Sequence, residues 1–196
     1  MTDWTSFQTH VEACRACSLC GGIHHKVPGQ GDPASPLLLL GEAPGEQEDR
    51  EGLAFVGAAG QLLTKMLAAI DLPRDRVYIA NVLKCRPPQN RTPDPTECAA
   101  CLPLLHEQLR LIRPKVILLL GATAAKTALG AQTRITRDRG RWVESKGVWM
   151  LPTYHPSALL RDPMKKREAW QDLQMLRSKL RELGLYPDLL TPEEDA

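Results

Sequence analysis

Long apolar runs are missing from this chain. Hydrophobic residues make up 43% of it, yet no uninterrupted stretch nears the roughly 20 residues of a bilayer-spanning helix. No membrane association is therefore expected. The opening residues, Met-Thr-Asp-Trp-Thr-Ser-Phe7, lack a basic start followed by an apolar core. They do not read as a secretory leader, and a cytoplasmic protein is the expectation. Aromatic residues are scarce at 5%, and Phe7 and Phe55 are the only phenylalanines. No internal repeat is visible, so a solenoid is not indicated. What remains is a chain of 196 residues, the size of one α/β domain with at most a small appendage.

Four consecutive leucines, Leu37–Leu40, follow Pro36 and stop at Gly41. The run suits a short strand buried on both faces, as in a parallel sheet covered by helices. Gly41-Glu-Ala-Pro-Gly45 then forces a tight turn, and the acidic stretch to Asp49 reads as loop. Ligands of open α/β sheets bind just beyond the carboxyl ends of strands, which would place Glu42 in a crevice. An ordinary strand-to-loop junction with a solvated acidic run is the plain alternative.

Three further strands are expected at residues 77–83, 115–121 and 148–154. Helices are expected at 3–13, 60–70, 96–112, 122–129 and 165–183, the last with Trp170, Leu173, Leu176 and Leu180 on its apolar side. Residues 133–147 read as a charged excursion with a hairpin around Gly140. The alternation predicts a three-layer α/β/α sandwich with a central, four-stranded, mostly parallel sheet. Residues 1–190 form one domain in this reading, with an N-terminal cysteine-bearing segment, and 191–196 form a disordered acidic tail. Glu42, Asn81 and His155 follow three strand ends, which share one edge in such a sheet and so converge.

Charge is segregated although the net is only +2. Residues 1–57 hold 3 basic and 8 acidic side chains, and residues 58–182 hold 22 and 11. A basic later half suits a phosphate-rich partner, and a solvated helix face explains it equally well.

Six cysteines stand at 14, 17, 20, 85, 98 and 101. Without an export signal a disulfide framework is not expected. CxxC spacing, at Cys14–Cys17, Cys17–Cys20 and Cys98–Cys101, points to metal or redox chemistry. Spacing alone admits a tetrahedral zinc site made from two CxxC units, an iron–sulfur cluster held by four thiolates, or thiols that serve partly as small buried apolar groups. It does not decide which four act, and Cys85 is as well placed as Cys98.

Gly41-Glu-Ala-Pro-Gly-Glu-Gln-Glu-Asp49, Phe55-Val-Gly57, the segment from Val77 to Lys84-Cys-Arg-Pro-Pro88, and His155-Pro-Ser-Ala-Leu-Leu160 together resemble the family 4 uracil-DNA glycosylases. The resemblance runs in order from about Cys14 to Leu180. It implies a monofunctional enzyme that hydrolyses the glycosidic bond of uracil in single- or double-stranded DNA, leaving an abasic site and initiating base excision repair. It also implies a 4Fe-4S cluster with mainly structural duties, and a monomer is expected. The family's cysteine pattern maps onto Cys14, Cys17, Cys85 and Cys101, with about 15 residues between the last two. Cys20 and Cys98 are then spare.

By the same resemblance Phe55 stacks on uracil, and Asn81 offers a donor and an acceptor to its N3–H and O4 edge. His155 donates to O2 as negative charge gathers there. Backbone groups at Glu42–Ala43 and the side chain of Ser157 complete the base pocket. Glu42 and Asn90 are the candidates to orient water, because Ala43 stands where the family 1 relatives carry an aspartate. Leu159 or Leu160 resembles the wedge that fills the space of a flipped base, with Leu159 taken as the wedge position. Arg161, Lys165, Lys166 and Arg167 are placed to hold flanking phosphates. Two other readings stand beside this one: a non-catalytic uracil- or DNA-binding module of the same fold, and a zinc-ribbon nucleic-acid adaptor. A covalent trap for the abasic product is disfavoured, since Asp49 to Phe55 holds no basic insertion and no histidine.

Overall fold

The computed structural model describes residues 3–186, so the acidic tail expected at 191–196 lies outside the described residues. The chain runs α1 (Trp4–Ala13), β1 (Gln30–Gly31), β2 (Leu37–Gly41), α2 (Glu46–Glu51), α3 (Ala58–Ala68), β3 (Tyr78–Asn81), α4 (Pro95–Ile112), β4 (Val116–Leu120), α5 (Ala122–Leu129), α6 (Ile135–Asp138), β5 (Val143–Ser145), β6 (Val148–Thr153), α7 (Pro156–Arg161) and α8 (Lys166–Glu182). No helix among them is long and apolar enough to cross a membrane.

The strands form one sheet in the order β1-β3-β2-β4-β6-β5. The four predicted strands are its parallel centre. The sheet has six strands rather than four, because a short antiparallel strand closes each edge. Neither edge carries a hydrophobic signature: β1 is two residues in a glycine-rich loop, and all three residues of β5 are exposed. Backbone pairing alone defines them. The hairpin joining β5 to β6 turns at Lys146 and Gly147, both with positive φ, and not at Gly140. A two-residue turn with both centres left-handed matches the twist of paired strands. Residues 135–138 before it are helical.

Alternate residues of the central strands enter two separate apolar clusters. Leu37, Leu39, Val116, Leu118 and Leu120 pack with Leu63 and Leu67 of α3 and with Leu173, Leu176 and Leu180 of α8. Leu38, Leu40, Ile117 and Leu119 pack with Leu105 and Ile112 of α4 and Ala124 of α5. This is why Leu37–Leu40 shows no alternation: both faces are covered and each leucine is at most 2% exposed. Each such burial is worth about 1.5–3 kcal/mol. On α8 the buried stripe starts at Ala169, and Trp170 is 40% exposed. Position 170 falls one residue off the spacing that Leu173, Leu176 and Leu180 define.

The N-terminal helix is fastened by a third, small cluster, in which Phe7 and Val11 of α1 meet Leu104 of α4. Asp3 caps α1 by accepting from the Ser6 N–H at 2.8 Å, and the helix ends at Cys14. At the start of α4 the Glu97 carboxylate accepts from the Asp94 N–H at 2.8 Å, with Pro95 in the first turn. These two helices set the N-terminal cysteines beside Cys101.

Candidate active site

Because the central strands are parallel and in register, their carboxyl ends lie level. Gly41 pairs with Asn81, Leu40 with Leu119 and Leu120 with Thr153. The loops leaving these ends enclose a cavity of about 610 Å³, within the range of small-ligand sites. Glu42, Ala43, Phe55, Asn81, Asn90, His155 and Ser157 all line it. Leu159 does not: it is 2% exposed in the core cluster beneath α7, which leaves it unable to reach DNA. Leu160, the next residue round the same helix, is 46% exposed.

Two glycines make the convergence possible. A Cβ on Gly41 would come within 2.6 Å of the Phe55 ring and would also strike the Asn81 amide oxygen. A Cβ on Gly121, whose φ is +91°, would sit 2.9 Å from Cβ of His155. Phe55 itself adopts φ 53°, an uncommon conformation for an aromatic residue. The geometry is imposed by Glu48, which is 9% exposed. Its carboxylate accepts from the N–H groups of Val56 at 2.9 Å, Gly57 at 2.8 Å and Gly45 at 3.1 Å. One side chain thus ties the Gly-Glu-Ala-Pro-Gly turn to the Phe-Val-Gly loop. Asp49, 1% exposed, accepts from the His24 and His25 N–H groups at 3.0 and 3.4 Å. The acidic stretch that reads as loop is instead helix α2, with two of its carboxylates turned inward.

Asn81 is 2% exposed, and its Oδ1 is buried without a hydrogen-bond partner among the described residues. A buried amide oxygen left unpaired is costly, and this one lies beside the Phe55 ring, at the cavity. The site therefore presents an acceptor to a donor on a flat group lying against Phe55.

His155 caps α7 through its own ring. The Ser157 N–H donates to Nδ1 at 3.2 Å, and the Ser157 hydroxyl lies 2.8 Å from the same nitrogen. With Nδ1 accepting, the proton of the neutral ring belongs on Nε2. The ring centroid is 5.5 Å from that of Phe55. Loss of water around the imidazole, with the Arg161 charge behind it, pulls its pKa from 6.5 down to about 4. At neutral pH this is an uncharged imidazole with one N–H to give.

Glu42 is held by the hydroxyl of Thr123 at the start of α5. Asn90 lies at the exposed mouth, its Oδ1 accepting from Arg86 Nε at 2.8 Å. Glu48, Thr123 and Gly121 escaped the sequence reading. Only Glu48 had a legible signal, the spacing Gly45-x-x-Glu48 of a helix-start box.

A second cavity, under the N-terminal segment, is lined by Cys14, Cys17, Cys85 and Cys101, together with Cys20. Cys98 is not part of its wall; it lies near enough to Glu42 for that charge to help raise its pKa, after burial. Burial pushes the Cys85 thiol up to about 12, and the charges of Cys101, Cys17 and Cys14 add to the rise. These four thiols therefore share one electrostatic environment. Among the described residues no three His, Cys, Asp or Glu side chains close on a single metal ion. The donor set, thiols around a pocket walled by Leu19, Leu83 and Leu104, is of the soft kind that suits zinc or an iron–sulfur group.

Residues 28–174 match the sequence model of the Uracil DNA glycosylase superfamily. The chain is 40% identical to a type-4 uracil-DNA glycosylase of Sulfurisphaera tokodaii, over 97% of this chain and 89% of that one. It is 42% identical to the type-4 enzyme of Thermotoga maritima, with 89% and 93% covered. For the type-4 enzyme of Archaeoglobus fulgidus the identity is 43%, with 85% and 87% covered. On most of its sequence and on the motifs that wall its cavity, this chain belongs to the uracil DNA glycosylase superfamily and, within it, to the type-4 uracil-DNA glycosylases.

Proposed function

We propose that the protein excises uracil from DNA by hydrolysing its N-glycosidic bond, leaving an abasic site. The observation that carries this reading is the unpaired, buried Oδ1 of Asn81 beside Phe55, facing the same cavity as the free Nε2–H of a neutral His155. Uracil supplies what both lack. Its N3–H is a donor for Oδ1, its O4 accepts from the amide nitrogen of Asn81, and its O2 accepts from His155. Cytosine presents an unprotonated N3 and an amino group on that edge, which leaves both Asn81 groups facing like partners.

A base inside a duplex has to leave the stack to reach such a cavity, at a cost of a few kcal/mol. Leu160, exposed beside the cavity mouth, is the side chain free to fill the gap, with Arg161, Lys166 and Arg167 exposed nearby for phosphates. As the glycosidic bond breaks, electrons pass onto the ring and charge collects on O2. A neutral N–H donor fixed in advance stabilises that charge without reorganising. Glu42, steadied by Thr123, is set to orient water toward the sugar carbon, and Asn90 assists from the mouth. Ala43 contributes backbone only.

The cysteine cavity is assigned to a 4Fe-4S cluster held by Cys14, Cys17, Cys85 and Cys101. Bound there, the group supplies a covalent tie between the N-terminal segment, the loop after β3 and α4. The two clusters of core residues on alternate strand positions support a three-layer α/β/α arrangement.

The deciding experiment incubates the protein with oligonucleotides carrying one uracil, single-stranded or paired with G or A, and then treats them with alkali. Breaks at the uracil alone are expected, and none before alkali. Tight binding with no alkali-labile site would leave only a binding module.

A further inference from the structure

Two buried lysines face the cysteine cavity, and neither has an acidic partner among the described residues. Lys84 is 1% exposed and Lys26 8%, and both line the cavity with Cys14, Cys17, Cys85 and Cys101. Nζ of Lys84 donates to the Asn81 carbonyl at 2.9 Å and to Oε1 of Gln108 at 2.6 Å. Gln108 gives its amide nitrogen to the Pro28 carbonyl at 2.7 Å, which fixes Oε1 as an acceptor. Nζ of Lys26 donates to the carbonyls of Glu12 and Cys14, at 2.5 and 2.8 Å. Every one of these acceptors is neutral. The ion pairs among the described residues include neither lysine.

Buried cations are ordinarily paired or bound to an anion, because solvation lost by an ammonium is not recovered from carbonyl dipoles alone. Two of them on one cavity wall call for a negative occupant. Four thiolates around an oxidised 4Fe-4S core carry a net double negative charge, which two ammonium groups balance. We propose that Lys26 and Lys84 are the counter-cations of the cluster, setting its charge balance and therefore its reduction potential. The proposal rests on the cluster assignment made above. Lys84 also holds the carbonyl of Asn81, so the same ammonium joins the cluster wall to the residue that reads the base.

The test compares the intact protein with Lys26→Met, Lys84→Met, Lys26→Arg and Lys84→Arg. Iron and sulfide are counted for each, and the midpoint potential is read by spectroelectrochemical titration. Removing a nearby positive charge disfavours an added electron, so the Met variants are expected to shift to more negative potential, with the Arg variants returning toward the parent value. Iron lost in a Met variant and regained in its Arg counterpart supports the proposal equally. Should Lys84→Met not fold, Lys26→Met, which meets only backbone carbonyls, carries the same comparison. Unmoved potentials in iron-loaded Met variants overturn the counter-cation role and leave the cluster standing. So does iron lost equally from the Met and Arg variants. Parent protein isolated with zinc, or with no metal, overturns the cluster itself.

Discussion

At the scale of single residues, the proposed chemistry turns on an imidazole kept neutral by its surroundings. Desolvation, then the charge of Arg161, lowers the pKa of His155 to about 4 from an ordinary 6.5. The folded state therefore releases this proton more readily than the unfolded chain does. Between those two values the unfolded chain binds a proton that the folded chain refuses, so stability is lost as pH falls through the window and is fully regained above it. Activity follows the folded value. Single-turnover excision rates are expected to stay level on the acid side down to about pH 5 and to fall only toward the folded pKa. An acid limb centred at 6.5 would contradict a neutral Nε2 donor. In the proposed site Asn81 stands beside it with no such titration. Replacing it with alanine removes an acceptor matched to N3–H, and discrimination against cytosine should fall along with the rate on uracil.

At the scale of elements, helix α2 and the α7 turn each divide labour between neighbouring residues. Glu48 is the peg on which two loops hang, since three backbone N–H groups converge on it. Glu48→Ala strands those donors at a cost of about 1–3 kcal/mol and frees Phe55 from φ 53°. Thermal melting and KM for a uracil-containing strand should both worsen, whereas Glu46→Ala, at an exposed position on the same helix, should change neither. On α7 the two leucines separate cleanly. Leu159→Ala empties core volume and is expected to cost roughly 2–5 kcal/mol of stability. Leu160→Ala, at an exposed site, should leave melting within about 0.5 kcal/mol. It should slow excision from duplex DNA more than from a single strand, because only the duplex has a stack to hold open. Equal losses on both substrates would remove Leu160 from the wedge role.

At the scale of the whole molecule, the N-terminal segment is held to the sheet by a small apolar cluster and by the walls of the cysteine cavity. Cys85→Ser is therefore expected to lower iron content and the melting temperature together. Cys98→Ser, outside that cavity, should alter neither by much. Iron analysis of both purified variants checks the assignment, and the reverse pattern would show that the ligand set had been misread. DNA affinity as a whole should decline steeply with salt, since phosphate contacts release counterions.

Periodicity and motif spacing in the sequence determined the central strands, the long helices and the residues that face the cavity, because Leu37–Leu40 and Val116–Leu120 have no other way to bury their side chains. The edge strands were illegible, since β1 and β5 are made by backbone pairing without an apolar pattern. Trp170 and Ala169, or Leu159 and Leu160, are indistinguishable by composition, and only their rotation about a helix axis separates core from surface. The inward carboxylate of Glu48, the orphaned oxygen of Asn81 and the tautomer of His155 likewise waited on the tertiary structure. Burial, hydrogen-bond partners and protonation are properties of a place in space, and residues more than a hundred positions apart create that place together.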